Sequence, residues 1–199
     1  MAHYFDKHPH VGSDRATVTL AVGDRVFTLA TDRGVFSRGQ VDAGTAVLLR
    51  KAPAPPTTGR LLDLGCGYGP IAVAVASQSP AANVWAVDVN ERALELVSEN
   101  AAANEITNIT VATPDAVPAE LTFDTIYSNP PVRIGKAALH DLLASWLPRL
   151  KSSGSAYLVV QRHLGADSLH AWLEQVGFPT SRLASSKGYR VLEVRRGPV

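Results

Sequence analysis

Arg60-Leu61-Leu62-Asp63-Leu64-Gly65-Cys66-Gly67-Tyr68-Gly69-Pro70, followed by the apolar run 71–76, is the stretch that decides the fold. Its start reads as a short buried strand. Three glycines at every second position then make a sharp turn, and Pro70 fits the first turn of a helix. Glycine is needed where the backbone turns tightly and a ligand approaches closely, because a Cβ would obstruct both. The following helix points its free N–H groups and the positive end of its dipole at whatever sits in the loop. A strand, a glycine loop and a helix in this order predict a nucleotide-type site at the edge of a parallel sheet.

Outward from this stretch, strands and helices alternate. Strands are expected at 60–64, 84–88, 107–112, 122–128, 155–161, 181–186 and 189–195, and helices at 70–78, 90–103, 136–150 and 166–176. Repeated strand–helix–strand units imply a mostly parallel sheet with helices on both faces and right-handed crossovers. The last two strands are joined only by Lys187-Gly188, which permits only antiparallel pairing. The expected fold class is therefore α/β, Rossmann-like, with one reversed strand near the C-terminus.

Ahead of the glycine loop, Thr17 to Thr31 alternates apolar and polar residues around Gly23-Asp24 and reads as a β-hairpin. Residues 42–50 look helical, and Pro53, Pro55 and Pro56 mark a loop. Residues 1–52 are thus expected to form an N-terminal extension packed on a main domain covering 58–199. The first sixteen residues hold three of the six histidines, His3, His8 and His10, and read as a surface segment rather than a metal site.

The chain has 199 residues, nearly half of them apolar, which suits one domain with a sizeable core. The net charge of +1 gives no global basic field. From Lys151 onward seven basic residues face three acids, a mild local bias. Cys66 is the only cysteine, so no internal disulfide can form and a reducing cytoplasm is the natural setting. No apolar run approaches the ~20 residues of a membrane span, and the N-terminus lacks a signal-peptide pattern.

Four segments carry candidate chemistry. The first is the glycine loop with Asp63, an acid at a strand's end. Its Gly-x-Gly-x-Gly spacing differs from the dinucleotide fingerprint and argues against a nicotinamide oxidoreductase. The second is Val84-Trp85-Ala86-Val87-Asp88-Val89-Asn90. Here an apolar strand ends in a carboxylate ~20 residues past the glycines, placed to accept two ribose hydroxyls. Asn90 suits the cap of the next helix. The third, Thr113-Pro114-Asp115-Ala116, either offers Asp115 to an adenine amine or is an exposed turn.

The fourth, Ser128-Asn129-Pro130-Pro131-Val132, follows a strand's carboxyl end, where open α/β sheets bind ligands. Two prolines fix two φ values and remove two N–H groups, so the Pro130 carbonyl can be held toward the pocket. The Asn129 amide oxygen and that carbonyl together can accept both hydrogens of a planar –NH2. That hold aims the nitrogen lone pair at an electrophile, which is catalysis by positioning. His140, His163 and His170 are expected to be structural, because the proton can leave after attack.

At these residues the chain resembles the class I S-adenosylmethionine-dependent methyltransferases, and in particular the small-domain branch that methylates guanine N2 in small-subunit ribosomal RNA. The resemblance covers roughly Tyr4 to Arg195. It includes Gly34-Val35-Phe36-Ser37, Asp42-x-Gly44-Thr45, Asp63-Leu64-Gly65-Cys66-Gly67-Tyr68-Gly69, Asp88, Asn129-Pro130-Pro131-Val132-Arg133-x-Gly135-Lys136 and Gly188-Tyr189-Arg190-Val191-Leu192. It implies S-adenosyl-L-methionine as cofactor, with Gly65, Cys66, Gly67 and Gly69 along its methionine part and Asp63 assisting its amino group. Asp88 and Val89 would border the ribose, and Asp115 and Ala116 the adenine. Asn129 and Pro130 would hold the target amine, with Asn129 also bordering the cofactor. Phe36, Pro131, Val132, Arg133 and Lys136 would border the substrate, with Gln161 and Arg162 on the far rim.

DNA amino-methyltransferases usually carry an aromatic after the two prolines. Val132 stands there in this chain, so Phe36 becomes the candidate for stacking on the base. The resemblance implies RNA, as ribosomal RNA or the small subunit, as partner, with no metal and no membrane. Alternative readings are a protein glutamine N-methyltransferase, whose amide suits the same Asn-Pro-Pro site, a small-molecule methyltransferase, and a noncatalytic RNA-binding factor. The last is disfavoured by the intact glycine loop, Asp88 and Asn129.

Overall fold

The computed structural model describes residues 11–197. His3, His8 and His10 lie outside them. The N-terminal hairpin pairs β1 (Ala16–Val22) with β2 (Arg25–Thr31) in antiparallel register, Val22 opposite Arg25, around the turn at Gly23-Asp24. A helix, α1 (Ala43–Lys51), follows, capped by Asp42.

The main sheet is built from β3 (Thr58–Leu64), β4 (Ala81–Val87), β5 (Ile109–Ala112), β6 (Phe123–Ser128), β7 (Leu150–Gln161), β8 (Thr180–Ser186) and β9 (Tyr189–Arg195). Its order is β5-β4-β3-β6-β7-β9-β8. The first five strands of that order pair in parallel, and β9 runs antiparallel to both β7 and β8. The helices between them are α2 (Pro70–Gln78), α3 (Glu91–Ala103), α4 (Lys136–Trp146) and α5 (Ala166–Gln175). The direction of strand succession reverses between β3 and β6, so a crevice opens outside the carboxyl ends of the strands there.

Period-two alternation divides the strands between two apolar layers. Leu61, Tyr127, Val159 and Val191 face α1, α2 and α3, while Leu62, Ile126, Leu158 and Leu192 face α4 and α5. Because both faces are covered, the central strands read as near-continuous apolar runs. Val18, Leu20, Phe27 and Leu29 of the hairpin join the same cluster as Val47 and Leu48 of α1 and the α2 residues. The extension therefore shares its core with the sheet.

Several boundaries differ from the sequence expectation. The helix expected over 136–150 ends at Trp146, and residues 147–149 form a 3-10 turn around Pro148, whose ring and missing N–H stop an α-helix. Strand β7 then starts at Leu150, five residues before the expected 155. The polar run Lys151-Ser152-Ser153 resembles a loop, yet a long-range ion pair holds it: Lys151 Nζ lies 2.8 Å from both Asp124 oxygens. Strand β4 likewise begins at Ala81, three residues before the expected 84.

One buried side chain ties the extension to the glycine loop. Asn100 of α3, only 1% exposed, donates to the carbonyls of Ala30 and Tyr68 at 2.9 Å each and accepts the Ala30 N–H at 2.6 Å. Truncation leaves three backbone groups without partners, that of Tyr68 buried and the two of Ala30 half-buried; a buried group left unpaired costs about 1–3 kcal/mol. Asn100→Ala is expected to lower stability by about 3 kcal/mol or more in urea unfolding, with an unchanged m-value; a loss below about 1 kcal/mol would contradict this role.

Candidate active site

Gly65, Gly67 and Gly69 have φ of +71°, +54° and +89°, all in the left-handed region open chiefly to glycine. The loop is fastened to the neighbouring strand. The N–H groups of Gly65 and Cys66 both donate to the Val87 carbonyl, at 2.8 and 3.1 Å. The Gly67 N–H donates to Asp88 Oδ2 at 2.9 Å. A Cβ at Gly67 would meet nothing within 4 Å, and one at Gly65 only Pro131 Cδ at 3.9 Å. These two glycines border open space, as a ligand cradle requires. Gly69 instead packs against α3, where a Cβ would lie 3.0 Å from Val97 Cγ2.

Two carboxyl groups sit by the loop. Asp63 is 1% exposed, and its Oδ2 accepts the Ala72 N–H in the first turn of α2 at 2.9 Å. Among the described residues Oδ1 has no hydrogen-bond partner. Burial, and then the charge of Asp88, push the Asp63 carboxyl up to about 8. Asp88 stands just past β4, half-buried, with Oδ1 accepting the Asn90 N–H at 2.9 Å. Burial raises its carboxyl too, against the lowering effect of those backbone donors. Asn90 caps α3 through the Ala93 N–H at 3.3 Å, and its Nδ2 donates to Gly34 O at 2.8 Å. That bond fastens the loop carrying Phe36.

Across the crevice, Ser128 Oγ donates to Leu64 O at 2.7 Å, joining the tips of β6 and β3. Asn129 follows, its Nδ2 donating to Asp42 Oδ1 at 2.7 Å and to Thr45 Oγ1 at 3.1 Å. Pro131, with φ −74° and ψ 71°, closes an inverse γ-turn in which the Val132 N–H donates to the Pro130 carbonyl at 2.8 Å. One lone pair of that carbonyl is thereby used and the other remains.

A single cavity of about 690 Å³ joins the two sides. Gly65, Cys66 and Gly67 line it from the loop, and Asp88 and Val89 from the end of β4. Asn129, Pro130, Pro131, Val132 and Arg133 line it from the end of β6, Phe36 from the extension, and Gln161 from the end of β7. Six residues named from sequence do not line it. Asp63 and Gly69 lie beneath the loop, while Asp115, Ala116, Lys136 and Arg162 are exposed outside it. Pro114, beside Asp115, does reach the cavity.

Further lining residues had no role assigned from sequence. Asp42 and Thr45 come from the start of α1, Tyr189 from the start of β9, and Ala138, Asp141, Leu142 and Ser145 from one face of α4. The i, i+3, i+4, i+7 spacing of the α4 set is visible in the sequence, but its orientation depends on where α4 docks. Among the described residues, no group of His, Cys, Asp and Glu is placed to hold a metal ion. No helix there is long and apolar enough to cross a membrane.

The donor set fits S-adenosylmethionine. The cradle has room for backbone-close binding at Gly65 and Gly67, and an unpaired buried carboxyl oxygen lies beneath it. Asp88 stands at the neighbouring strand end.

Residues 26–193 match the family model described as methyltransferase small domain. The chain is 36% identical over 197 residues to the uncharacterised protein YbxB of Bacillus subtilis, covering 98% of each. It is 34% identical to ribosomal RNA small subunit methyltransferase C of Pseudomonas aeruginosa, over 94% of this chain and 56% of that protein. The enzyme of the same name from Shewanella sediminis is also 34% identical, over 75% of this chain and 45% of that protein. The chain thus spans about half the length of these two methyltransferases. Among solved structures, the Thermus thermophilus 16S ribosomal RNA N2 methyltransferase in complex with AdoMet and guanosine superposes with a TM-score of 0.79. It is 24% identical, over 94% of this chain and 52% of that one, which shows the shared fold.

The raised Asp63 carboxyl makes stability fall with pH. Unfolded, the group ionises near pH 3.9; folded, it holds its proton up to about 8. Between those values the native state binds more protons than the unfolded state, so stability declines as pH rises. Asp88, also raised, acts in the same direction. Urea unfolding of the cofactor-free protein at pH 5.5 and 7.5 is expected to show this loss. Asp63→Asn, which keeps an acceptor for Ala72, is expected to flatten most of it. An unchanged slope in that variant would reassign the dependence.

Proposed function

The chain belongs to the methyltransferase small domain family and has the class I S-adenosylmethionine-dependent methyltransferase fold, and on that premise we propose that it methylates an exocyclic amine of RNA, guanine N2 of small-subunit ribosomal RNA. The observation that carries this reading is the one cavity running from the glycine cradle to the Asn129–Pro130 pair. When bound, S-adenosylmethionine supplies an electrophilic methyl group on a sulfonium.

The residues supply position. Asp88 accepts hydrogen bonds at the ribose end, and the backbone at Gly65 and Gly67 leaves space for the methionine end. Asn129 Oδ1 and the free lone pair of the Pro130 carbonyl accept the two amine hydrogens. A guanine amine is a weak nucleophile because its lone pair is delocalised into the ring; held by both hydrogens in the ring plane, it presents that lone pair to the methyl carbon. The N–C bond would form as the methyl–sulfur bond breaks, and the amine would then give its now acidic proton to water, so no strong base is required.

Phe36 is 39% exposed at the cavity rim and offers a ring face to the base. Arg133 at the rim, with exposed Lys136 and Arg162 nearby in sequence to lining residues, supplies cations for phosphates. With a net charge of only +1, affinity for RNA rests on few phosphate contacts, and its salt dependence is shallow. The names of the ribosomal RNA methyltransferases it resembles support the choice of small-subunit RNA. A ribosomal substrate places the protein in the cytoplasm.

Labelled cofactor with small ribosomal subunits, followed by mass mapping of nucleosides, is expected to yield N2-methylguanosine at one position. Methyl transfer to a protein fraction alone would overturn the acceptor assignment. Asn129→Ala is expected to reduce turnover by about 100-fold or more, since misplacing a held reactant costs on that order, while cofactor affinity measured by calorimetry stays within about twofold. Phe36→Ala is expected instead to raise KM for the RNA several-fold and leave cofactor affinity unchanged.

A further inference from the structure

We propose that Asp42 is a positioning residue for methyl transfer: it holds the Asn129 amide so that the oxygen, not the nitrogen, faces the acceptor amine. The inference rests on the reading of Asn129 as the acceptor of an amine hydrogen. It concerns a residue of the extension, 87 positions away in sequence from its partner.

The amide orientation follows from the bonds of one oxygen atom. Asp42 Oδ1 accepts the backbone N–H of Gly44 at 2.8 Å and of Thr45 at 3.0 Å, capping α1. An oxygen that accepts two backbone N–H groups has no hydrogen to give. The Asn129 atom 2.7 Å from it must therefore be the nitrogen. Thr45 Oγ1, 3.1 Å away, takes that nitrogen's second hydrogen. A half-turn of the amide would set two acceptors 2.7 Å apart, so the flipped state is excluded as long as Asp42 stays in place.

Asp42 is itself held. A Cβ on Gly44 would lie 2.9 Å from Asp42 Oδ1 and 2.8 Å from Tyr189 Cε1. The absence of a side chain there lets the Tyr189 ring and the Asp42 carboxylate both close on the first turn of α1. The carboxylate also strengthens the atom it does not touch. A charge-assisted bond to the amide nitrogen draws the N–H dipoles toward Asp42 and shifts electron density onto the amide oxygen of Asn129, making that oxygen a better acceptor. Capping alone does not explain a carboxylate here, because Asn and Ser cap helices about as well as Asp.

Asp42→Ser is the test: its hydroxyl keeps an acceptor for the first turn of α1, but it is shorter and carries a hydrogen of its own, so the orientation of the Asn129 amide is no longer dictated. With small ribosomal subunits as acceptor, kcat is expected to fall about tenfold or more. KM, cofactor affinity and melting temperature are expected to stay close to wild type. In an Asn129→Ala background the same change is expected to have no further effect on kcat, because Asp42 acts through Asn129. Asp42→Thr carries the same test should Asp42→Ser fold poorly, and Asp42→Asn, whose capping oxygen still faces the Asn129 nitrogen, is expected to lose less.

A separate readout needs no acceptor. The side-chain 15N–1H2 signals of Asn129 in the cofactor-free protein are expected to lie downfield and exchange slowly, and to lose both properties in Asp42→Ser. Unchanged Asn129 signals, a wild-type kcat, or an equal loss in the Asn129→Ala background each overturn the proposal. Changed signals together with a wild-type protein that methylates no guanine would instead overturn the acceptor assignment and leave the Asp42–Asn129 hold standing.

Discussion

One backbone carbonyl, that of Val87, takes two N–H groups from the glycine loop, and the site is built around that fastening. It forces the chain leaving β3 to bend toward β4 rather than run on. The bend needs glycine at left-handed φ and delivers the first turn of α2 onto Asp63. Asp88, the next residue after Val87, receives the Gly67 N–H, so the end of one strand orders the loop of another. The arrangement has a cost. Asp63 is buried, one of its oxygens has no partner among the described residues, and a buried polar group left unsatisfied costs about 1–3 kcal/mol. A fold under selection for stability alone would place an apolar residue there. A cationic ligand group above the loop would offset the cost.

The electrostatics of the cavity suit positioning better than proton transfer. Among the described lining residues there is no histidine. The Cys66 thiol is pushed up by burial and by the nearby aspartates, and burial raises the hydroxyls of Tyr68 and Tyr189, with the charge of Asp42 adding to both. All three keep their protons at neutral pH and cannot act as bases. What the lining offers is acceptors in fixed places: an amide oxygen, a carbonyl in a γ-turn, and carboxylates held by backbone N–H groups. Preset acceptors lower a barrier by orientation, and orientation needs rigidity. The γ-turn at Pro131, the Ser128–Leu64 bond and the cap at Asp42 supply it.

Much of this was legible in the sequence because it is local. The glycine spacing, the acid after an apolar strand and Pro70 at the start of α2 are read within a few residues, and the helix 70–78 has the bounds expected. The reversed strand followed from a two-residue link. What was not legible depends on residues far apart. Nothing near Lys151 announces Asp124, so 151–154 reads as a link between the expected helix and strand. Asp42 and Tyr189 stood within segments that carry the family resemblance but had no assigned role, since their use depends on α1 docking against the tips of β6 and β9. Asp115 shows the converse: position after the third strand does not decide which way a side chain on a short turn points, and its neighbour Pro114 lines the cavity instead.

The extension is more than a cover over an otherwise complete site. Its hairpin shares one apolar layer with the sheet, Asn100 bonds it to the glycine loop, Asn90 bonds the loop bearing Phe36, and α1 sets the Asn129 amide. Donor side and acceptor side are therefore each braced by a different part of the same N-terminal segment. A sheet stripped of residues 11–52 would keep the glycine loop and the Asn-Pro-Pro turn in sequence but lose what orients them. The cavity sits at a seam, and the two sides of a seam hold their spacing only while the packing between them is intact. That ties geometry at the cavity to core packing some distance behind it, because close-packed interiors pass on even sub-ångström strain.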